Sequence, residues 1–197
     1  MNNNTKPRLE DLNVIVAGQG GDGSLTVVNI LADVLRTSGL RVYTERDVLS
    51  RIKGGITAAT LRAYNGERLC ISSHIDLMVA FDQAAIPKYA FRLNAKSIVI
   101  YDSSNGELTA ESKLPEGVRL IGVPLSRYAV KNFRRDIYKN SISFAVIGRL
   151  IGLDDGQMKI AFDKRFGRRG AQALKYNLDA LNVGCTLADD AGLTIGE

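Results

Sequence analysis

Val14-Ile15-Val16-Ala17-Gly18-Gln19-Gly20-Gly21-Asp22-Gly23-Ser24-Leu25-Thr26-Val27-Val28 decides the fold. An apolar run of strand length meets four glycines in six residues, and apolar positions at Leu25, Val28, Ala32 and Leu35 then recur with a helical period. This predicts a strand over 12–17, a tight turn, and a helix over 22–38 closed by Gly39. The glycines have a steric reason. Where a strand ends over a helix start there is room for backbone only, and a Cβ would clash with the turn or with a ligand. Free N–H groups and the helix dipole also make such a turn a candidate anion site.

Two ligand readings compete with plain strand–helix packing. Gly18, Gly20 and Gly23 match the spacing of a dinucleotide fingerprint, with Glu45, after a second strand over 40–44, as the ribose-binding acid. Against a pyrophosphate stands Asp22, whose carboxylate would oppose it inside the turn unless a cation intervened. Gly21-Asp22-Gly23 also looks like the start of a thiamine-diphosphate motif, but the asparagine needed further along to help hold a metal is missing from 49–55.

Outward from the turn, a strand over 41–44 completes a βαβ start, which predicts a parallel pair with a right-handed crossover. Residues 45–55 mix charges with the Gly54-Gly55 pair beyond that strand, at the edge where ligands of open α/β sheets gather. Strands over 56–63 and 68–72 are expected to form a hairpin around Asn65-Gly66. A buried strand over 76–81, a short helix over 83–93, a strand over 97–101 and short strands at 108–109 and 119–122 follow, for six to eight strands in all. From 125 onward the pattern is helical, over 126–134, 141–151, 155–166 with Asp154 or Asp155 as cap, and 170–182. The helix over 141–151 is apolar nearly all round, so it is either deep core or a subunit interface, with interface preferred. The expected fold class is α/β: a Rossmann-like wound mixed β-sheet with an antiparallel hairpin excursion and a C-terminal helical part. Its domain layout is a polar leader over 1–11, one domain over 12–187, and a tail or linker over 188–197.

With 197 residues, 45% hydrophobic, the chain suits one such domain. No apolar stretch approaches the ~20 residues of a membrane span, and the polar start lacks a signal-peptide core, so a cytoplasmic location is expected. Cys70 and Cys185 lie far apart, outside any CxxC spacing, which excludes an iron–sulfur cluster or metal site built by this chain alone. The net charge of +5 is concentrated at Arg134-Arg135, Lys164-Arg165 and Arg168-Arg169. Without interleaved aromatic motifs, these patches read as solvated helix faces or a subunit contact rather than as a nucleic-acid footprint. His74, the sole histidine, reads as structural or exposed, and no catalytic set is assigned.

The ordered combination is more specific than any one motif. The glycine turn, Arg51-Ile52-Lys53-Gly54-Gly55 before a strand containing Leu61-Arg62, the strand Asp76-Leu77-Met78-Val79, and helices spanning Asn140 to Gly148 and Asn177 to Gly184 occur in that order. Together they resemble the gamma subunit or gamma domain of the 2-oxoacid:ferredoxin oxidoreductases, over about residues 12–185. The resemblance implies an enzyme that decarboxylates a 2-oxoacid on thiamine diphosphate, passes electrons through iron–sulfur clusters to ferredoxin, and yields acyl-coenzyme A. It implies alpha and beta subunits or domains as partners and ferredoxin as an indirect one; homodimerisation of the isolated chain is a separate option, since an apolar surface meant for partners can self-associate. Nucleic acid and membrane are not expected partners. No cofactor is expected on this chain alone, and it resembles forms in which gamma is fused ahead of alpha. Its expected binding residues are Gly18, Gly20, Gly21, Asp22 and Gly23, with Arg51, Lys53, Gly54 and Gly55 toward a phosphate, such as that of coenzyme A, or a partner carboxylate. The alternative for Arg51 and Lys53 is an internal ion pair with Glu45 or Asp47.

Overall fold

Strand β1 (Asp11–Gln19), buried from Leu12 to Gly18, is the axis of the fold. The computed structural model describes residues 10–48, 55–66, 70–108 and 114–192. The other strands are β2 (Arg41–Asp47), β3 (Ile56–Tyr64), β4 (Leu77–Ala80), β5 (Ile98–Asp102) and β6 (Arg119–Val123), in the order β2-β3-β1-β4-β5-β6. β3 runs antiparallel to both β1 and β2, whereas β1, β4, β5 and β6 are mutually parallel neighbours.

The mixed α/β sheet agrees with expectation, but the predicted β1–β2 parallel pair does not form. β3 occupies the place beside β1 and β2 lies outside it, at the edge. The reason is burial. The slot next to β1 is covered on both faces, and Ala58 to Tyr64 are all buried there, whereas Arg-Val-Tyr-Thr-Glu-Arg-Asp of β2 is largely exposed and suits an edge. The one cation in the buried run, Arg62, is held by Asp11 at 2.9 and 2.6 Å from Nε and Nη2. The expected hairpin around Asn65-Gly66 is also corrected, since residues 70–72 form no strand and the antiparallel excursion is β2 with β3. Leu108 lies outside any strand, and the described residues form six strands.

Helices α1 (Ser24–Thr37), α3 (Leu125–Phe133), α4 (Lys139–Leu150), α5 (Asp155–Phe166) and α6 (Ala171–Asp190) pack over one face of the sheet. The opposite face, with Ile15, Ala17, Met78 and Val99, is covered by α2 (Ala85–Tyr89) and the 3-10 turn after it. α4 is buried from Lys139 to Gly148 within its own chain, so its all-round apolarity marks core rather than the preferred interface. It meets α6 at Gly184, where a Cβ would come within 2.3 Å of the Ile142 carbonyl oxygen. Ser141 Oγ donates to Asn177 Oδ1 across that contact at 2.7 Å. α5 starts as predicted, with Asp154 and Gln157 forming a reciprocal capping box. α6 runs eight residues beyond the predicted end at 182, and Ala188, expected in a loose tail, is 1% exposed.

Candidate functional site: the glycine turn and the acidic cleft

The turn after β1 is closed by its own carboxylate. Asp22 Oδ2 accepts from Gln19 N at 2.8 Å, Asp22 N donates to Gln19 O at 3.0 Å, and Gly20 N donates to Gly55 O at 3.2 Å. These are backbone donors that a phosphate-binding turn would present to its ligand. The glycines have distinct tasks. A Cβ on Gly18 would lie 2.7 Å from Asp22 Oδ2 and 2.9 Å from Phe81 Cβ, and one on Gly23 would lie 2.0 Å from Asn140 Nδ2. Gly23 at φ 89° and Gly21 at φ 100° also hold left-handed backbone, while a Cβ on Gly20 would have nothing closer than Thr57 at 3.9 Å.

Asp22 Oδ1 accepts from Lys139 Nζ at 3.1 Å, and the same ammonium donates to Asp136 Oδ2 at 2.7 Å. It also sits 5.4 Å from the centre of the Phe81 ring. The cation paired with Asp22 is therefore the first residue of α4. Burial by itself would lower the Lys139 pKa, but the Asp136 hydrogen bond and the Asp22 charge outweigh it and hold the ammonium above its ordinary value.

Beyond the turn lies a cleft of about 470 Å³ at the C-terminal ends of β1, β4 and β5, lined in part by Gln19, Asp22, Asp82, Asp102, Asp136 and Lys139. It opens where the crossovers change face, α1 packing on one side of the sheet and α2 on the other. Gln19 Nε2 donates to Asp82 Oδ2 at 2.7 Å, and Asp102 Oδ2 accepts from Ser126 N at 3.1 Å. Four carboxylates around one ammonium make a lining that repels phosphate and receives hydrogen-bond donors. Sequence reading did not single out Asp82, Asp136 or Lys139. An acid just past β4 and another closing β5 were the available signal.

Glu45 is excluded as a ribose-binding acid. It pairs with Thr60, which pairs with Ile15, so it lies level with the middle of β1 and about 10 Å to the side with β3 between. Asp47 is engaged by Lys88 Nζ at 2.8 Å and Tyr89 Oη at 2.7 Å, contacts that hold its carboxyl below the usual value, Lys88 contributing most. Of the expected phosphate or partner contacts, Gly55 abuts the turn through its carbonyl, whereas Arg51, Lys53 and Gly54 lie outside the described residues. His74 is exposed at the N-terminal end of β4, its Nδ1 2.8 Å from Ser72 Oγ, away from the cleft. Among the described residues no group of His, Cys, Asp and Glu is placed to hold a metal ion, and no helix is long and apolar enough to cross a membrane.

A Rossmann-like domain with a mixed sheet and a self-closed glycine turn is the class defined by this geometry. Comparison with known proteins places it further. A family model described as pyruvate ferredoxin/flavodoxin oxidoreductase matches residues 13–187. The chain belongs to that family. It is similar to the 2-oxoglutarate synthase subunit KorC of Archaeoglobus fulgidus, 22% identical over 175 residues, covering 88% of this chain and 86% of the relative. Among solved structures it is similar to the 2-oxoglutarate:ferredoxin oxidoreductase of Magnetococcus marinus, with 2-oxoglutarate, coenzyme A and succinyl-CoA bound. That likeness has a TM-score of 0.84 and 28% identity, and covers 95% of this chain but 32% of that one. The gamma subunit of a keto/oxoacid ferredoxin oxidoreductase from Geobacter sulfurreducens shares the fold, with a TM-score of 0.74 and 20% identity over 92% of this chain and 98% of that one.

Proposed function

We propose that this chain is a non-catalytic component of a thiamine-diphosphate-dependent 2-oxoacid:ferredoxin oxidoreductase that oxidatively decarboxylates a 2-oxoacid to acyl-coenzyme A. It associates with the alpha and beta parts, is inactive alone, and works in the cytoplasm, with ferredoxin meeting the assembly elsewhere. Thiamine diphosphate, iron–sulfur clusters and coenzyme A belong to the complete complex. The observation that carries this reading is the family match over residues 13–187, coupled to a glycine turn whose anion position is taken by Asp22. In this reading Gly18 and Gly23 serve packing, Gly21 holds left-handed backbone, Asp22 and Lys139 lock the turn to α4, and the segment with Arg51, Lys53, Gly54 and Gly55 faces coenzyme A or a partner. The likeness to a longer chain, of which this one covers 32%, supports a gamma unit joined to further domains in some relatives.

The test is affinity capture of the tagged chain from its native anaerobic extract, with identification of co-purifying proteins and an assay of 2-oxoacid- and coenzyme A-dependent dye reduction. Thiamine- and cluster-binding partners together with activity are expected. Recovery of the chain alone and inactive would remove the assigned role while leaving the fold intact.

A further inference from the structure

The Arg134-Arg135 pair, which the proposed role leaves unused, borders a second pocket of about 490 Å³, lined in part by Phe133, Arg134, Arg135, Tyr138, Gln172 and Tyr176. Three of these rings form one cluster, Phe133 to Tyr138 at 5.1 Å, Tyr138 to Tyr176 at 5.9 Å and Phe133 to Tyr176 at 6.5 Å between centroids. Tyr176 remains 39% exposed, so part of this aromatic wall is open to solvent. No carboxylate lines the pocket, and neither arginine has an ion-pair partner among the described residues. The nearest acid in the chain, Asp136, is engaged by Lys139 at 2.7 Å.

Arg134 is also the one non-glycine residue among those described with positive φ, at 60°, where it ends α3. Glycine would take this conformation without strain. Gln172 and Ala173 of the lining belong to the first turn of α6, which carries no acidic residue and no side-chain cap, so nothing there opposes an anion. Two planar guanidinium groups without carboxylate partners can each bond a pair of phosphate oxygens, and an open aromatic wall matches the face of a planar base.

We propose that this pocket binds a nucleoside phosphate, the base lying on the Tyr176 side and the phosphate oxygens held by Arg134 and Arg135. It is separate from the glycine turn and opposite in charge to the acidic cleft. The inference does not depend on the partner subunits, so it is tested on the full chain alone.

The probe is ADP, titrated calorimetrically at low salt beside inorganic pyrophosphate and adenosine. Saturable ADP binding is expected, with adenosine at least about tenfold weaker because it lacks the charge-assisted contacts. Arg134→Gly with Arg135→Gln should weaken ADP binding about tenfold or more while the fold, followed by circular dichroism, is kept, since Gly relieves the positive φ. Tyr176→Ala should weaken ADP about fivefold and leave pyrophosphate unchanged, because only the base has a face to stack. Absence of saturation by about 5 mM ADP, a range that covers weak millimolar affinities, would overturn the proposal. So would equal ADP affinity in the arginine variant, or a Tyr176→Ala variant that binds ADP as the parent does.

Discussion

Gly23 holds left-handed backbone, and its missing Cβ is the space filled by the Asn140 amide at 2.0 Å. Gly23→Ala therefore adds a backbone penalty to an overlap and should destabilise by about 3 kcal/mol in urea unfolding. Gly20→Ala, whose Cβ meets nothing closer than 3.9 Å, should cost less than about 1 kcal/mol. Lys139 gives a pH test. Replacing this buried ammonium by Met leaves Asp22 and Asp136 without it and should cost about 2 kcal/mol near neutrality. The folded-state pKa of Lys139 is raised, so its contribution is complete below the unfolded value and is lost as pH rises through the folded one. The stability gap between parent and Lys139→Met should thus be level up to about the ordinary lysine value of 10.5 and close above it. A gap that has already closed between about pH 7 and pH 9 would refute this account. The glycines and the awkwardness of Asp22 were legible because they arise within six residues of each other. The ammonium that resolves Asp22 was not, since it stands 117 positions away.

At the scale of elements, α4 and α6 touch through small residues. Gly184→Ala would drive a Cβ to 2.3 Å from the Ile142 carbonyl oxygen and 2.7 Å from Ala145 Cβ, contacts that backbone cannot easily yield. A loss of about 2 to 3 kcal/mol is expected, read as a lowered urea midpoint with unchanged slope. Asp154→Ala, which removes the acceptor of the Gly156 and Gln157 amides, should cost only about 1 kcal/mol. An equal loss in the two variants would mean that the α4–α6 contact is looser than its geometry. The same elements mark what periodicity can and cannot give. The α5 cap and the apolar period of α4 were readable, being local. That α4 is sheathed by its own chain was not, because all-round apolarity has the same signature in a core as in an interface. The place of β2 was misread for a related reason: a strand, helix and strand in succession predict a neighbour, but the largely exposed pattern Arg41 to Asp47 favours the edge once β3 can take the covered slot.

Across the whole molecule, the dinucleotide reading and the assembly reading make opposite demands on the same turn. NAD would need Gly18 to Gly23 open to phosphate and Glu45 near the end of β1, whereas Asp22 closes the turn and Glu45 lies level with Ile15 on the far side of β3. Calorimetry with NAD should accordingly give no saturable heat at about 1 mM, and micromolar binding abolished at Gly20 would reverse this conclusion. The extent of the domain is open to a second test. Sequence placed a tail from 188, where apolar periodicity fades, but Ala188 is 1% exposed and Asp189 Oδ1 lies 3.3 Å from Arg149 Nε, which ties the last turns of α6 back to α4. A chain ending after residue 187 should lose about 2 kcal/mol relative to the parent, through the exposed core and the frayed helix end. One ending after residue 192 should unfold with the parent's midpoint. Should both truncations match the parent, the contacts of Ala188 and Asp189 would be incidental and any join to a further domain could begin at 188. The expected difference instead makes the last turns of α6 part of the folded unit, anchored in the core through Ala188 and tied to α4 through Asp189.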